Sequence, residues 1–143
     1  MSDDTIKLLR ECNAGIKMGI SSLDDVMDNV ENESLKNILC NSREIHTRLD
    51  QETKQYLSKY NDDGKEPAAM AKVMSKIKTE FKTMGEDNDT NIASLITDGC
   101  NMGIKSLYRY LNQYPAAEDE IRNLVHRTIE TEEALRAELR NYL

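Results

Sequence analysis

Apolar residues recur along the start of the chain in alternating steps of three and four: Ile6, Leu9, Ile16, Ile20, Leu23, Met27 and Val30, with position 13 skipped and filled by Asn13. That rhythm keeps one side of a 3.6-residue helix against a neighbour, and it predicts a helix from about Asp3 to Val30. Ser2 or Asp3 stands as its cap, and the acids of the first turn suit the unpaired amide N–H groups there. After a break at Glu31-Asn32-Glu33, a second helix carries Leu35, Ile38, Ser42, Ile45, Leu49, Glu52 and Tyr56 in the same rhythm.

The stretch Asn61-Asp62-Asp63-Gly64-Lys65-Glu66 is polar, and Pro67 then occupies a position where a first helical residue needs no amide proton. Met70, Val73, Met74, Ile77, Phe81 and Met84 follow at helical spacing, so residues 66–84 read as an amphipathic crossover helix. A methionine stripe of this kind reads as core, with an adaptable partner surface as the rival. Gly85-Glu86-Asp87-Asn88-Asp89 ends the segment, a further helix runs from about Thr90 to Asn112, and after Tyr114-Pro115 a last helix runs to Leu143. The expectation is a single all-α domain over 1–143, with five helices and no strand.

The chain also repeats itself. Cys12-Asn13-Ala14-Gly15-Ile16-Lys17 returns 88 residues later as Cys100-Asn101-Met102-Gly103-Ile104-Lys105, with five of six positions identical. Leu35 to Leu57 aligns without a gap to Ile121 to Leu143 at an offset of 86, keeping Glu52 with Glu138 and Tyr56 with Tyr142. Amphipathic composition explains matched Leu and Glu, but not a matched Cys-Asn-x-Gly-Ile-Lys string, so the pattern reads as a duplicated hairpin. Repeat one covers 3–60, the crossover helix 66–84 and repeat two 89–143. Two such hairpins would bury their apolar sides against each other in a four-helix bundle about a pseudo-twofold axis.

On the Leu9 to Lys17 opening, the crossover segment and Gly99 to Gly103, the chain resembles bacterial ferritin-like four-helix-bundle proteins of a domain of unknown function. The resemblance implies the ferritin-like fold and the duplicated hairpins, and it brings no settled activity.

Composition narrows the function classes. Apolar residues make up 38% and charged ones 31%, with no Trp and one Phe, which suits amphipathic helices. A formal charge of −7, with scattered Lys and Arg, argues against a nucleic-acid partner. No apolar run approaches the roughly 18 residues of a membrane span, and Met1-Ser2-Asp3-Asp4 lacks a basic signal-peptide start. A cytoplasmic location is expected. Cys12, Cys40 and Cys100 are far apart and form no Cys-x-x-Cys pair, so they read as reduced thiols, Cys12 and Cys100 as small buried hydrophobes.

A di-iron bundle needs a Glu on each of two helices and Glu-x-x-His on the other two, to set carboxylates and imidazoles around two metal ions. No Glu-x-x-His occurs, and the inward positions Ile16 and Ile104 cannot ligate. His126 takes the place of Cys40 in the repeat and reads as a surface residue. Asn13, Glu52, Asn101 and Glu138 hold seam positions at one height, which would make a buried polar layer. Three readings stay open for it: carboxylates reaching solvent or lysine at a bundle end, a device fixing register, or a cation site. Second-choice metal candidates are Glu44, His46, Glu130 and Glu133. The Gly15 to Gly19 stretch suits close helix packing, and Lys17 and Lys105 extend from the seam edge toward water.

The expected function is a non-catalytic binding or assembly bundle without a cofactor, acting as a homodimer through the crossover helix or with a protein partner. The alternative is a divergent carboxylate-bridged metal protein using its inward Glu residues. A stress-linked structural role follows only from the family analogy.

Overall fold

The computed structural model describes residues 3–60, 62 and 88–143, and every regular element among them is helical. Helix α1 spans Asp3–Met27, α2 Glu33–Lys59, α3 Asn88–Gln113 and α4 Asp119–Leu139, followed by a 3-10 turn at Arg140–Tyr142. The crossover helix expected at 66–84, its methionine stripe and the dimer contact assigned to it lie outside these residues.

Helix α1 stops at Met27, short of the expected Val30, because the chain tightens there. The amide of Asn29 donates to the Val26 carbonyl at 3.0 Å and that of Val30 to the Met27 carbonyl at 3.4 Å. Val30 is still buried, as its apolar side chain requires. The Asn32 side-chain oxygen then accepts from the Leu35 amide at 3.0 Å and starts α2 where the sequence places the break.

Contacts at the two ends fix the topology. The carboxylate of Asp4 accepts from the Ala116 amide and the Thr5 hydroxyl from the Glu118 amide, both at 2.9 Å, so α1 begins beside the α3–α4 connection. At the opposite pole the Asp89 carboxylate accepts from the amides of Glu31 and Asn32 at 2.8 and 3.0 Å, which puts the start of α3 against the α1–α2 turn. Helix α2 therefore ends at the first pole, where Tyr56 bonds Glu120 and Arg10 pairs with Asp62. Helices α1 and α4 run one way, α2 and α3 the other. Helix α1 packs along α2 and α3 along α4, while α1 also touches α3 and α4 and α2 touches α4.

The core falls into two apolar clusters. Leu8, Leu9, Leu57, Leu111 and Ile121 belong to the one at the first pole, and Val26, Leu35, Leu39, Ile92 and Leu139 to the one at the second. On α2 the buried row is Leu35, Leu39, Ser42, His46, Leu49, Thr53 and Leu57. Leu35, Ser42 and Leu49 of the expected row are buried, but its Ile38, Ile45, Glu52 and Tyr56 each lie one residue short of a buried position; Ile45 is 42% exposed. Helix α4 shows the same shift, with Leu139 buried and Glu138 exposed. Among the described residues, no helix is long and apolar enough to cross a membrane.

Candidate functional site

Midway along the bundle, between the two apolar clusters, a buried polar pair links the hairpins. His46 of α2 is 1% exposed, and its Nε2 meets Oε1 of Glu132 from α4. Its Nδ1 lies 2.7 Å from the Ser42 carbonyl, one turn back along α2, and 3.3 Å from the Ser42 hydroxyl. A carbonyl oxygen only accepts, so Nδ1 carries a proton and Nε2 faces the carboxylate. Burial disfavours the imidazolium, but the hydrogen bond and charge of Glu132, together with the Ser42 carbonyl, outweigh it and hold His46 above the ordinary imidazole range. Gly19 of α1 makes room for the ring: a Cβ there would lie 2.9 Å from His46 Cδ2.

The pair forms the floor of a cleft of about 540 Å³ between α1 and α3. The cleft runs from Glu11 to Leu23 on α1 and from Leu95 to Tyr110 on α3, about 18 Å of α1 at 1.5 Å per residue. Its walls are apolar and small, with Gly15, Gly19, Gly99 and Gly103 removing side chains that would close it. A Cβ added at Gly15 or Gly99 would meet nothing within 4 Å. Among the described residues the walls carry Glu11, Asp98 and Glu132 but no Lys or Arg. Cys100 also lies there; burial and the nearby Glu132 charge push its thiol up, so it stays neutral.

A second polar cluster surrounds Asn13. This residue is fully buried and donates from Nδ2 to Asp50 at 3.1 Å and to the Thr53 hydroxyl at 2.7 Å. Asp50 in turn pairs with Lys54 at 2.9 Å. Nearby, Cys12 Sγ lies 3.6 Å from the Thr128 hydroxyl, and burial pushes its thiol up to about 12.

The expected polar layer of Asn13, Glu52, Asn101 and Glu138 does not assemble. Asn13 is buried, whereas Asn101 and Glu138 are exposed. Asn101 accepts from Arg136 at 2.9 Å. Glu52 faces Arg127, which holds both carboxylate oxygens at 2.6 and 3.1 Å. Thr53 on α2 and Leu139 on α4, each one residue beyond the expected glutamate, turn inward in place of Glu52 and Glu138. Glu52, Glu130 and Glu138 do share a shallow groove between α2 and α4, along with Arg48 and Arg127. Glu44 and Glu133 are exposed, so only His46 of the second-choice set is buried. His126 is exposed and stands edge-on to Tyr108, with ring centroids 6.4 Å apart. Among the described residues, no three His, Cys, Asp or Glu side chains gather as a metal ion would need.

Sequence reasoning missed Glu132, Asp50, Thr53 and the role of Gly19. The 86-residue offset of the sequence alignment maps His46 onto Glu132.

No family model matches the chain, and neither a curated protein nor a solved structure matches it.

Proposed function

We propose that the chain is a non-catalytic four-helix binding protein whose guest lies in the cleft between α1 and α3. The observation that carries this reading is the cleft itself. It has the volume of a small-molecule site, apolar walls and a polar floor built by the hydrogen-bonded His46–Glu132 pair. An amphipathic guest fits, with its body along the glycine-lined walls and a polar group toward Glu132.

Ferritin-like architecture and duplication belong to the same proposal. Opposed hairpins, with α2 ending at one pole and α3 starting at the other, suit a bundle with one long crossover connection. Two pairs support the duplication. Asn13 bonds Asp50 and Asn101 bonds Arg136, and the offsets of 88 and 86 carry the first pair onto the second. His46 and Glu132, equivalent under the 86-residue offset, face each other. On this reading the position where a di-iron bundle gathers carboxylates holds a histidine–carboxylate pair.

The test uses the environment-sensitive dye N-phenyl-1-naphthylamine, since the chain has no Trp of its own. Saturable fluorescence enhancement is expected, with at least about tenfold weaker binding in Gly15→Phe and Gly99→Phe, a loss of about 1.4 kcal/mol. A Cβ at either position meets nothing within 4 Å, and circular dichroism checks that the variants fold. Unchanged dye affinity in both folded variants rules the cleft out.

A further inference from the structure

We propose that the cleft takes a neutral aliphatic alcohol, whose chain lies along the glycine-lined walls and whose hydroxyl donates to the Glu132 carboxylate. The inference rests on the cleft being the binding site and adds the class of guest. Charge balance is the first argument. The Glu132 carboxylate already has its counter-charge in His46, whose Nε2 meets Oε1. Asp98 is exposed to water. The Cys100 thiol is neutral, and the positive charge of Arg136 reaches it. A cationic guest would have to displace His46 from Glu132, and an anionic one would bring a second negative charge beside it where apolar walls weaken screening. A neutral guest disturbs neither partner and has no charge to strip of water.

The second argument is the direction of the hydrogen bonds around Glu132. Both ring nitrogens of His46 are engaged, Nδ1 with the Ser42 carbonyl at 2.7 Å and Nε2 with Glu132. The Thr128 hydroxyl donates to the Leu124 carbonyl at 3.0 Å and the Ser22 hydroxyl to the Met18 carbonyl at 2.9 Å. These donors are turned into the protein and away from a guest. A carboxylate offers about four lone-pair sites, and Glu132 serves only His46 and the weak thiol donor of Cys100 among the described residues. Its Oε2 lies on the α3 side, where a Cβ at Gly103 would stand 4.0 Å away, so no side chain at that position covers it. The other hydroxyls on the cleft, Ser106 and Tyr110, lie beyond Gly103 toward the first pole. The floor therefore accepts and does not donate, and a hydroxyl is the neutral end group that suits it.

Shape selects the chain. The cleft follows about 18 Å of α1 at 1.5 Å per residue yet holds only about 540 Å³, so it is long for its volume. Gly15 and Gly19 on one wall and Gly99 and Gly103 on the other keep both sides free of side chains at those positions. An unbranched alkyl chain laid along this cleft buries its methylene groups against both helices.

Displacement of N-phenyl-1-naphthylamine from the full chain tests this. 1-Hexanol, 1-heptanol and 1-octanol should displace the dye with affinity rising about fourfold per added methylene, the effect of burying one CH₂ group. 1-Octanol should bind at least about tenfold more tightly than its isomer 1-methoxyheptane, which lacks a hydroxyl proton and so cannot donate to a charged acceptor. It should also bind more tightly than octanoate or octylammonium at neutral pH. Glu132→Gln, checked for folding by circular dichroism, should narrow the alcohol-to-ether ratio by about threefold or more, because the acceptor loses its charge. Alcohols that leave the dye bound, an ether that competes as well as the alcohol, or an octanoate or octylammonium that outcompetes it overturns the alcohol class while dye binding keeps the cleft as a site. An unchanged ratio in folded Glu132→Gln overturns Glu132 as the acceptor. Failure of the dye itself to bind overturns both readings.

Discussion

Single side chains set the shape of the central part of the bundle, and its glycines do so for opposite reasons. At Gly99 a Cβ would meet nothing within 4 Å, so the residue carries only the entropic cost of glycine in a helix. Gly99→Ala should therefore raise stability by about 0.5–1 kcal/mol, read as a higher urea midpoint. At Gly19 the same change drives a methyl group into the buried His46 ring, 2.9 Å away. Gly19→Ala should lower stability by about 1–3 kcal/mol despite its better helix propensity. Equal effects at the two sites would show that the ring moves freely. Tyr56 illustrates the same specificity at the first pole: its hydroxyl donates to Glu120, and that bond pushes the phenol up to about 12.

At the scale of elements, the termini are held by side chains from elsewhere in the fold. Asn32 caps α2 through the Leu35 amide, and Asp89 receives the Glu31 and Asn32 amides from the other hairpin. Asn32→Ala should cost about 1 kcal/mol. Asp89→Ala should cost a similar amount and, more tellingly, speed amide exchange at Glu31 and Asn32. Unaltered exchange at those two amides would mean that Asp89 does not hold this end. The four described helices, the break before α2 and the Tyr114-Pro115 break were legible because each rests on local chemistry: a run of helical periodicity, a polar interruption, a proline. The phase of α2 was not. Leu35, Ser42 and Leu49 face inward as expected, but between them the buried residues are Leu39, His46 and Thr53, where an apolar-first reading takes Ile38 and Ile45 one residue earlier. That single step exchanged Thr53 for Glu52 and His46 for Ile45, and hid the central pair. Asn13 was correctly placed inside, but its partners Asp50 and Thr53 sit on the misphased helix.

The two described hairpins are joined across their middles by the His46–Glu132 pair, and this makes stability depend on pH. The folded-state pKa of His46 is raised. Its contribution is therefore fully present below the unfolded value, about 6.5 for histidine, and is lost as pH rises through the folded value. Urea denaturation of the wild type and His46→Gln at a series of pH values should show the wild type losing its relative advantage across that window. A constant difference between the two proteins would mean that the pair does not exchange its proton on unfolding.

The opposed directions of the helices have an electrostatic consequence. Each pole gathers two amino-terminal and two carboxyl-terminal helix ends, so the four backbone dipoles cancel in pairs along the long axis. Among the described helices, the backbone leaves little net dipole along that axis. The potential inside the bundle is left to its ionisable side chains, and a single proton at its waist can change it.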